Sequence, residues 1–212
     1  IRKIASKNNC VLIFDEITSG WRINTGGAHQ KFKINPDIVV YGKTIANGIP
    51  MGAIVGKKKI ISLALKTFVS SSFWSEKIGP SCALTFIKKH KKLNLGKKLN
   101  VIGLKIKKIW NDAVKKNNLE IDIFGINPLA TFKLKTKNWP ITITFFIQEM
   151  LKYNILASDR CYANYAHDKK SLNIYKKACE KVFKNIADLE KKGTLKKHLE
   201  SPIKQMGFTR LT

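Results

Sequence analysis

Two short apolar runs end on residues that could do chemistry together. "VLIFDE" closes on Asp15 and Glu16, and "DIVVYGK" closes on Lys43. Unbroken apolar runs of this length predict strands of a parallel sheet covered on both faces. Ligands of open parallel sheets sit beyond the carboxyl ends of the strands, where Asp15 and Lys43 both fall. A lysine there can condense with a carbonyl, and an aspartate beside it can hold the proton of a pyridinium nitrogen. Spacing alone describes an ordinary salt bridge, or two solvated strand ends, at least as well.

The elements that must position this pair follow from local pattern. "IRKIASKNN" has Ile1, Ile4 and Ala5 at helical spacing without an opening cap, and reads as the end of a helix. A polar loop with Gly20, Gly26 and Gly27 separates the two strands, and "GIPMGAIVGKKKI" predicts a turn and a third short strand at Ala53 to Val55. A helix is expected from Pro80 through Lys92. Leu95, Leu99, Ile102, Ile106, Ile109, Trp110 and Ala113 then share one helical face, with lysines opposite. "EIDIFGI" and "LATFKLK" alternate as strands, "FFIQEMLKYNIL" returns to helix, and "YANYAH" reads as a strand. A last helix, about Lys169 to Lys192, stops at Gly193. The class is α/β up to about residue 90 and α+β after it, with domains expected at residues 1–110 and 111–212.

With 212 residues and 44% hydrophobic content, the chain can build one substantial core or one core and an annex. No stretch of about 18 apolar residues occurs and "IRKIASKNNC" lacks a hydrophobic leader, so no membrane partner and a cytoplasmic location are expected. Cys10, Cys82, Cys161 and Cys179 show no CxxC spacing; they read as reduced thiols, with Cys10 and Cys82 in core positions and no metal site. The net charge of +26 invites a polyanion. Yet the lysines are scattered, arginine is scarce and aromatic residues are not interleaved with them. That argues against a dedicated nucleic-acid surface and for nonspecific sticking at low salt.

The words around the two strand ends add a resemblance. "LIFDEITSGWRINTGGAHQKFKINPDIVVYGKTIANGIPMGAIVG" resembles the cofactor-binding core of the class III, fold-type I aminotransferases: LIFDEV, TGFR, GGAQ, PDL, then GKxIGGGxPxGA. It is most similar to the glutamate-1-semialdehyde aminomutases and their aminotransferase relatives. "GPSCALTFIKK" and "ILASDRCYANYAHDKKSLNIYKKACEKVF" extend the similarity to the following helix and the C-terminal domain. The resemblance implies part of a pyridoxal-phosphate-binding large domain, mainly parallel sheet with helices, followed by a small α+β domain.

On that resemblance Lys43 would bond the aldehyde of pyridoxal 5'-phosphate and carry a proton between the substrate alpha carbon and C4' of the cofactor, while Asp15 would keep the ring nitrogen protonated. Ile17 would pack on the ring face. Ser75 would offer its hydroxyl to the phosphate held by a neighbouring subunit, which implies a homodimer. Asp159 and Arg160 fall near the substrate positions of the family, with Arg160 a conceivable carboxylate clamp; solvated surface residues are the plainer reading of both. The implied partners are a small-molecule amino donor and a carbonyl acceptor. His29, within "GGAHQ", reads as a surface residue or one supporting the site from behind, and His167 as a hydrogen-bonded histidine at a strand end.

Two departures matter. The aminomutases carry a GTLSGNP loop where this chain has "FWSEKIGP", which favours an aminotransferase acting on other substrates. Family members are also about twice as long, so a C-terminal fragment is expected, with an open sheet edge and unburied faces, weak cofactor binding and little activity of its own. A catalytically inactive remnant that only dimerises is the alternative, and a basic polyanion-binding module is a third reading.

Overall fold

A computed structural model describes residues 1–73 and 75–207. The chain divides into two compact units, residues 1–99 and 100–212.

The first unit is built on three strands. Helix α1 (Arg2–Lys7) precedes β1 (Ile13–Asp15), and α2 (Ala28–Lys31) lies in the connection to β2 (Ile38–Tyr41). A 3-10 turn at Lys43–Ala46 follows, then β3 (Ala53–Gly56), α3 (Lys58–Ile61) and α4 (Ile78–Leu93). The order is β1-β2-β3, with β1 and β2 parallel and β3 antiparallel to β2. Asp15 is in register with Val40, so the carboxyl ends of the two parallel strands lie side by side.

The start of β2 is fixed by a charge cluster. Buried Asp37 accepts from Arg2 at 2.7 Å, from Lys57 at 2.7 Å and from the Leu12 N–H at 2.8 Å, which ties α1, β1 and the end of β3 to one carboxylate. Those three donors hold the Asp37 carboxyl well below the usual carboxylate range. The unit's core is small: Trp21, Val39, Tyr41, Ile45, Ala46 and Ala83, with the Trp21 and Tyr41 rings 4.4 Å apart.

β1 lies at the open sheet edge expected of a fragment, and Val11 and Ile13 are 51% and 55% exposed. Expectation and structure differ here in one way. Cys10 is exposed rather than in the core, because it sits at the turn between α1 and β1, where its backbone N–H closes on the Ala5 carbonyl.

The second unit has antiparallel order β4-β5-β6. It comprises most of α5 (Leu95–Lys116), then β4 (Ile121–Phe124), β5 (Leu129–Leu134), α6 (Trp139–Leu151), β6 (Arg160–Tyr162) and α7 (Lys169–Lys192). Helix α6 opens on Asn138, whose side chain accepts from the Ile141 N–H. Helix α7 opens on Asp168, which accepts from Ser171 N–H, and closes on Gly193 in the left-handed region at φ 67°. Trp110, Phe132, Phe146, Phe183, Ile143 and Ile186 are at most 1% exposed and share one core. The Trp110 indole donates to the Tyr175 hydroxyl at 2.8 Å, so this core leaves that ring nitrogen satisfied.

The strand expected over "YANYAH" lies earlier. Pairing with β5 covers Arg160–Tyr162, and the Asn164 side chain then accepts from the Ala166 N–H at 2.8 Å, turning the chain out of the ladder. Among the described residues no helix is long and apolar enough to cross a membrane.

Candidate active site

Asp15 is the last residue of β1 and is exposed. Its Oδ1 accepts from the Ile17 N–H at 2.9 Å, which folds the chain back directly after the strand. Glu16 N–H still reaches the Val40 carbonyl at 2.8 Å, and Gly20 N–H closes on the Glu16 carbonyl at 2.8 Å. Residues 16–20 therefore form a tight turn at the carboxyl end of the sheet.

Lys43 reaches the same end from the next strand. After Tyr41, Gly42 is extended, and Lys43 opens the 3-10 turn with φ 47°, a left-handed conformation unusual for a lysine. Its Nζ donates to the Thr18 hydroxyl in the turn that follows Asp15. Thr44 Oγ1 donates to the Gly20 carbonyl at 3.0 Å and stitches the two loops a second time. Gly42 has a packing reason to lack a side chain: a Cβ there would stand 3.2 Å from Ile17 Cγ2. Asp15, Ile17 and Lys43 thus belong to one cluster, with a carboxylate, an apolar side chain and a primary amine whose partner is a neutral hydroxyl.

Beneath the turn lies a buried clasp. Glu16, 1% exposed, accepts from the Ser19 hydroxyl, from the His29 N–H at 2.9 Å, and lies 3.2 Å from the His29 ring Nδ1. Burial works to raise the Glu16 carboxyl, but the Ser19 hydroxyl, the His29 and Ala28 N–H groups and the His29 ring outweigh it and hold it below the usual range. His29 is buried and supports the site from behind. A Cβ on Gly27 would meet the His29 ring at 2.4 Å and Glu16 Oε1 at 2.8 Å, so the clasp has no slack. Nothing in the sequence alone singles out Thr18 or gives Glu16 a role; the one signal is a Thr-Ser pair separated from the two acids by Ile17.

The remaining expected residues lie elsewhere. Ser75 occupies an exposed turn ahead of α4; Trp74, in the same "FWSEKIGP" segment, is outside the described residues. Asp159 and Arg160 belong to the second unit, where Asp159 accepts from Ser158 at 2.6 Å and pairs with Lys204 and Arg160. Burial raises the Asp159 carboxyl, and the Ser158 hydroxyl with those two cations more than reverses it. Arg160 lines a cleft of about 560 Å³ with Tyr153, Leu156, His167 and Tyr175. His167 is half-buried, and its Nδ1 faces the Asn164 N–H at 3.4 Å. Cys82 is half-buried against the core of the first unit.

The chain is 34% identical over 139 residues to the 3-aminobutyryl-CoA aminotransferase of Cloacimonas acidaminovorans, covering 63% of this chain and 33% of that protein. It is 27% identical over 180 residues to the glutamate-1-semialdehyde 2,1-aminomutase of Methanococcoides burtonii, covering 82% and 40%. Among solved structures, the FumI protein of Sphingopyxis sp. MTA144 superposes with a TM-score of 0.82 at 19% identity, over 89% of this chain and 46% of that one. An omega-transaminase from Sphaerobacter thermophilus superposes at 0.78 and 17% identity, over 88% and 47%. The chain therefore spans less than half the length of these relatives. The family model for aminotransferase class-III matches residues 1–130, the stretch that holds both strand ends and their loops, and the chain belongs to that family.

Proposed function

We propose that this chain is the lysine-bearing half of a pyridoxal-phosphate-dependent aminotransferase of the glutamate-1-semialdehyde aminomutase-like kind. The observation that carries the reading is the juxtaposition of Asp15 and Lys43 at neighbouring parallel strand ends, with the Lys43 amine placed by the turn that follows Asp15. The donor set fits the cofactor: an amine with a neutral partner, an exposed carboxylate one strand away, and an apolar side chain at Ile17. When bound, pyridoxal phosphate supplies an aldehyde for an amine and a protonated pyridine ring that takes up the electrons left when a substrate C–H bond breaks.

The chain's own residues do the rest. Lys43 Nζ would offer the primary amine that holds the aldehyde and would move the proton between the donor's alpha carbon and the carbon that carried the aldehyde. Asp15 would keep the ring nitrogen protonated, and Ile17 would keep water from one face. Ser75 lends its hydroxyl to the phosphate in a neighbouring subunit, so the working form is a homodimer. Asp159 and Arg160 contact substrate, with Arg160 as the carboxylate clamp. The substrates are a small amino donor and a carbonyl acceptor, and the enzyme works in the cytoplasm. In this reading residues 1–110 are part of the cofactor-binding domain and residues 111–212 form the small domain.

The test is transamination by a chain extended to the relatives' full length: amino transfer that depends on added pyridoxal phosphate and vanishes in Lys43→Ala supports the reading. Full-length protein that neither absorbs as a cofactor complex nor transfers an amino group removes it. One observation favours a second reading, an inactive remnant that only associates: the apolar residues Val11 and Ile13 are exposed along the β1 edge. That reading predicts a dimer in which Lys43 stays unmodified by the cofactor.

A further inference from the structure

We propose that Thr18 is a positioning residue for the Lys43 amine, and that Glu16, Ser19 and His29 form the buried clasp that holds it in place. The inference rests on the reading of Lys43 as the cofactor-bonding amine. A lysine side chain is long and freely rotating, and most of its rotamers would carry Nζ away from the strand ends. Here its direction is set twice, by the left-handed backbone at Lys43 and by the hydrogen bond from Nζ to Thr18 Oγ1. Threonine suits the task because β-branching makes χ1 stiff, so the direction of Oγ1 follows the backbone of its turn.

That turn is itself fixed from below. Glu16 is buried and accepts from Ser19 within the turn and from His29 across the loop, while the Thr44 hydroxyl bonds to the Gly20 carbonyl at the turn's far end. Gly20 and Gly27 have no room for a side chain: a Cβ would stand 2.7 Å from the Glu16 carbonyl and 2.4 Å from the His29 ring. The turn therefore has little freedom to swing Thr18 away. A hydroxyl is also the appropriate partner chemically. It accepts from an ammonium or from a neutral amine, so it can aim the group without fixing it in the charged form, whose nitrogen lacks the lone pair needed to attack an aldehyde.

Two readouts on the full 212-residue chain test this. The first uses no cofactor: Lys43 acetylation by a small acylating reagent is followed by peptide mass mapping against exposed lysines of α5 and α7. The second is the yield of pyridoxyl-Lys43 after incubation with pyridoxal phosphate and borohydride. Thr18→Val removes the oxygen and keeps the branched shape. It is expected to raise the acetylation rate of the released amine and to lower the pyridoxyl yield, each by about threefold to tenfold, the worth of one hydrogen bond. Thr18→Ser restores both, and Glu16→Gln shifts both in the same sense as Thr18→Val but less. Thr18→Val with wild-type acetylation and an unchanged circular dichroism spectrum overturns the proposal, as does Ser failing where Thr succeeds. If wild-type Lys43 takes no pyridoxyl group, the inactive-remnant reading of this chain gains, the functional reading passes to the full-length test, and the acetylation contrast still decides the role of Thr18.

Discussion

The two units hold themselves together by different means. The second packs large side chains at most 1% exposed, Trp110, Phe146 and Phe183 among them, around Phe132, whose ring lies 4.8 Å from Trp110 and 5.3 Å from Phe146. The first has a core of six residues, leaves Val11 and Ile13 exposed, and relies on two buried carboxylates, Asp37 and Glu16, to join its loops. An apolar core is indifferent to pH and tolerant of loop geometry, whereas a carboxylate surrounded by donors fixes direction at the cost of sensitivity to protonation. The unit that carries Asp15 and Lys43 is the one built on directional contacts.

Four expectations sharpen or break that contrast. The largest effect belongs to the aromatic core: Phe132→Ala is expected to cost the second unit about 3–5 kcal/mol, read by denaturant unfolding, and a loss within about 1 kcal/mol would deny that core its role. Gly27→Ala comes next, at about 1–3 kcal/mol in the first unit, because the new methyl has only the His29 ring and Glu16 to enter. The third is acid unfolding. Asp37 and Glu16 have folded pKa values below their unfolded ones, so their stabilisation is complete above about pH 4–5 and lost as pH falls through the folded values. Amide exchange should therefore rise in the first unit at a higher pH than in the second, and Asp37→Asn should weaken the acid dependence. Simultaneous acid loss in both units would refute the contrast.

The smallest effect is chemical. Cys10 is exposed, whereas burial pushes the Cys161 thiol up to about 11 and the Cys179 thiol up to about 12. Alkylation at neutral pH should modify Cys10 first and Cys179 last. Equal rates would indicate that the second unit's core opens readily.

What the sequence could disclose was set by how local the cause was. Helix α7 runs Lys169–Lys192, as its amphipathic spacing and Gly193 predict, because a cap and a periodic face are contained in the segment itself. The two apolar runs located β1, β2 and the strand ends, and the motif words identified the family. The open edge at β1 followed from the family's greater length, since an unbroken apolar run alone looks the same in the middle of a sheet and at its edge. The clasp was not legible, because its members Glu16, Ser19 and His29 meet only after the loop folds. Asp37 escaped notice for the same reason, because its donors Arg2 and Lys57 lie far off in sequence. "YANYAH" misled because aromatic residues favour strands, while the turn made by the Asn164 side chain ends the ladder at Tyr162.

On the proposed reading, one amine among many lysines is placed for a pyridoxal aldehyde. Mass mapping of a chain extended to its relatives' full length, after treatment with pyridoxal phosphate and borohydride, reads this directly. Pyridoxyl label is expected to concentrate on Lys43, well above its level on the exposed lysines of α5 and α7, and to fall when Asp15 is changed to Ala. Label spread evenly over the lysines, with Lys43 no richer than the rest, would refute that reading.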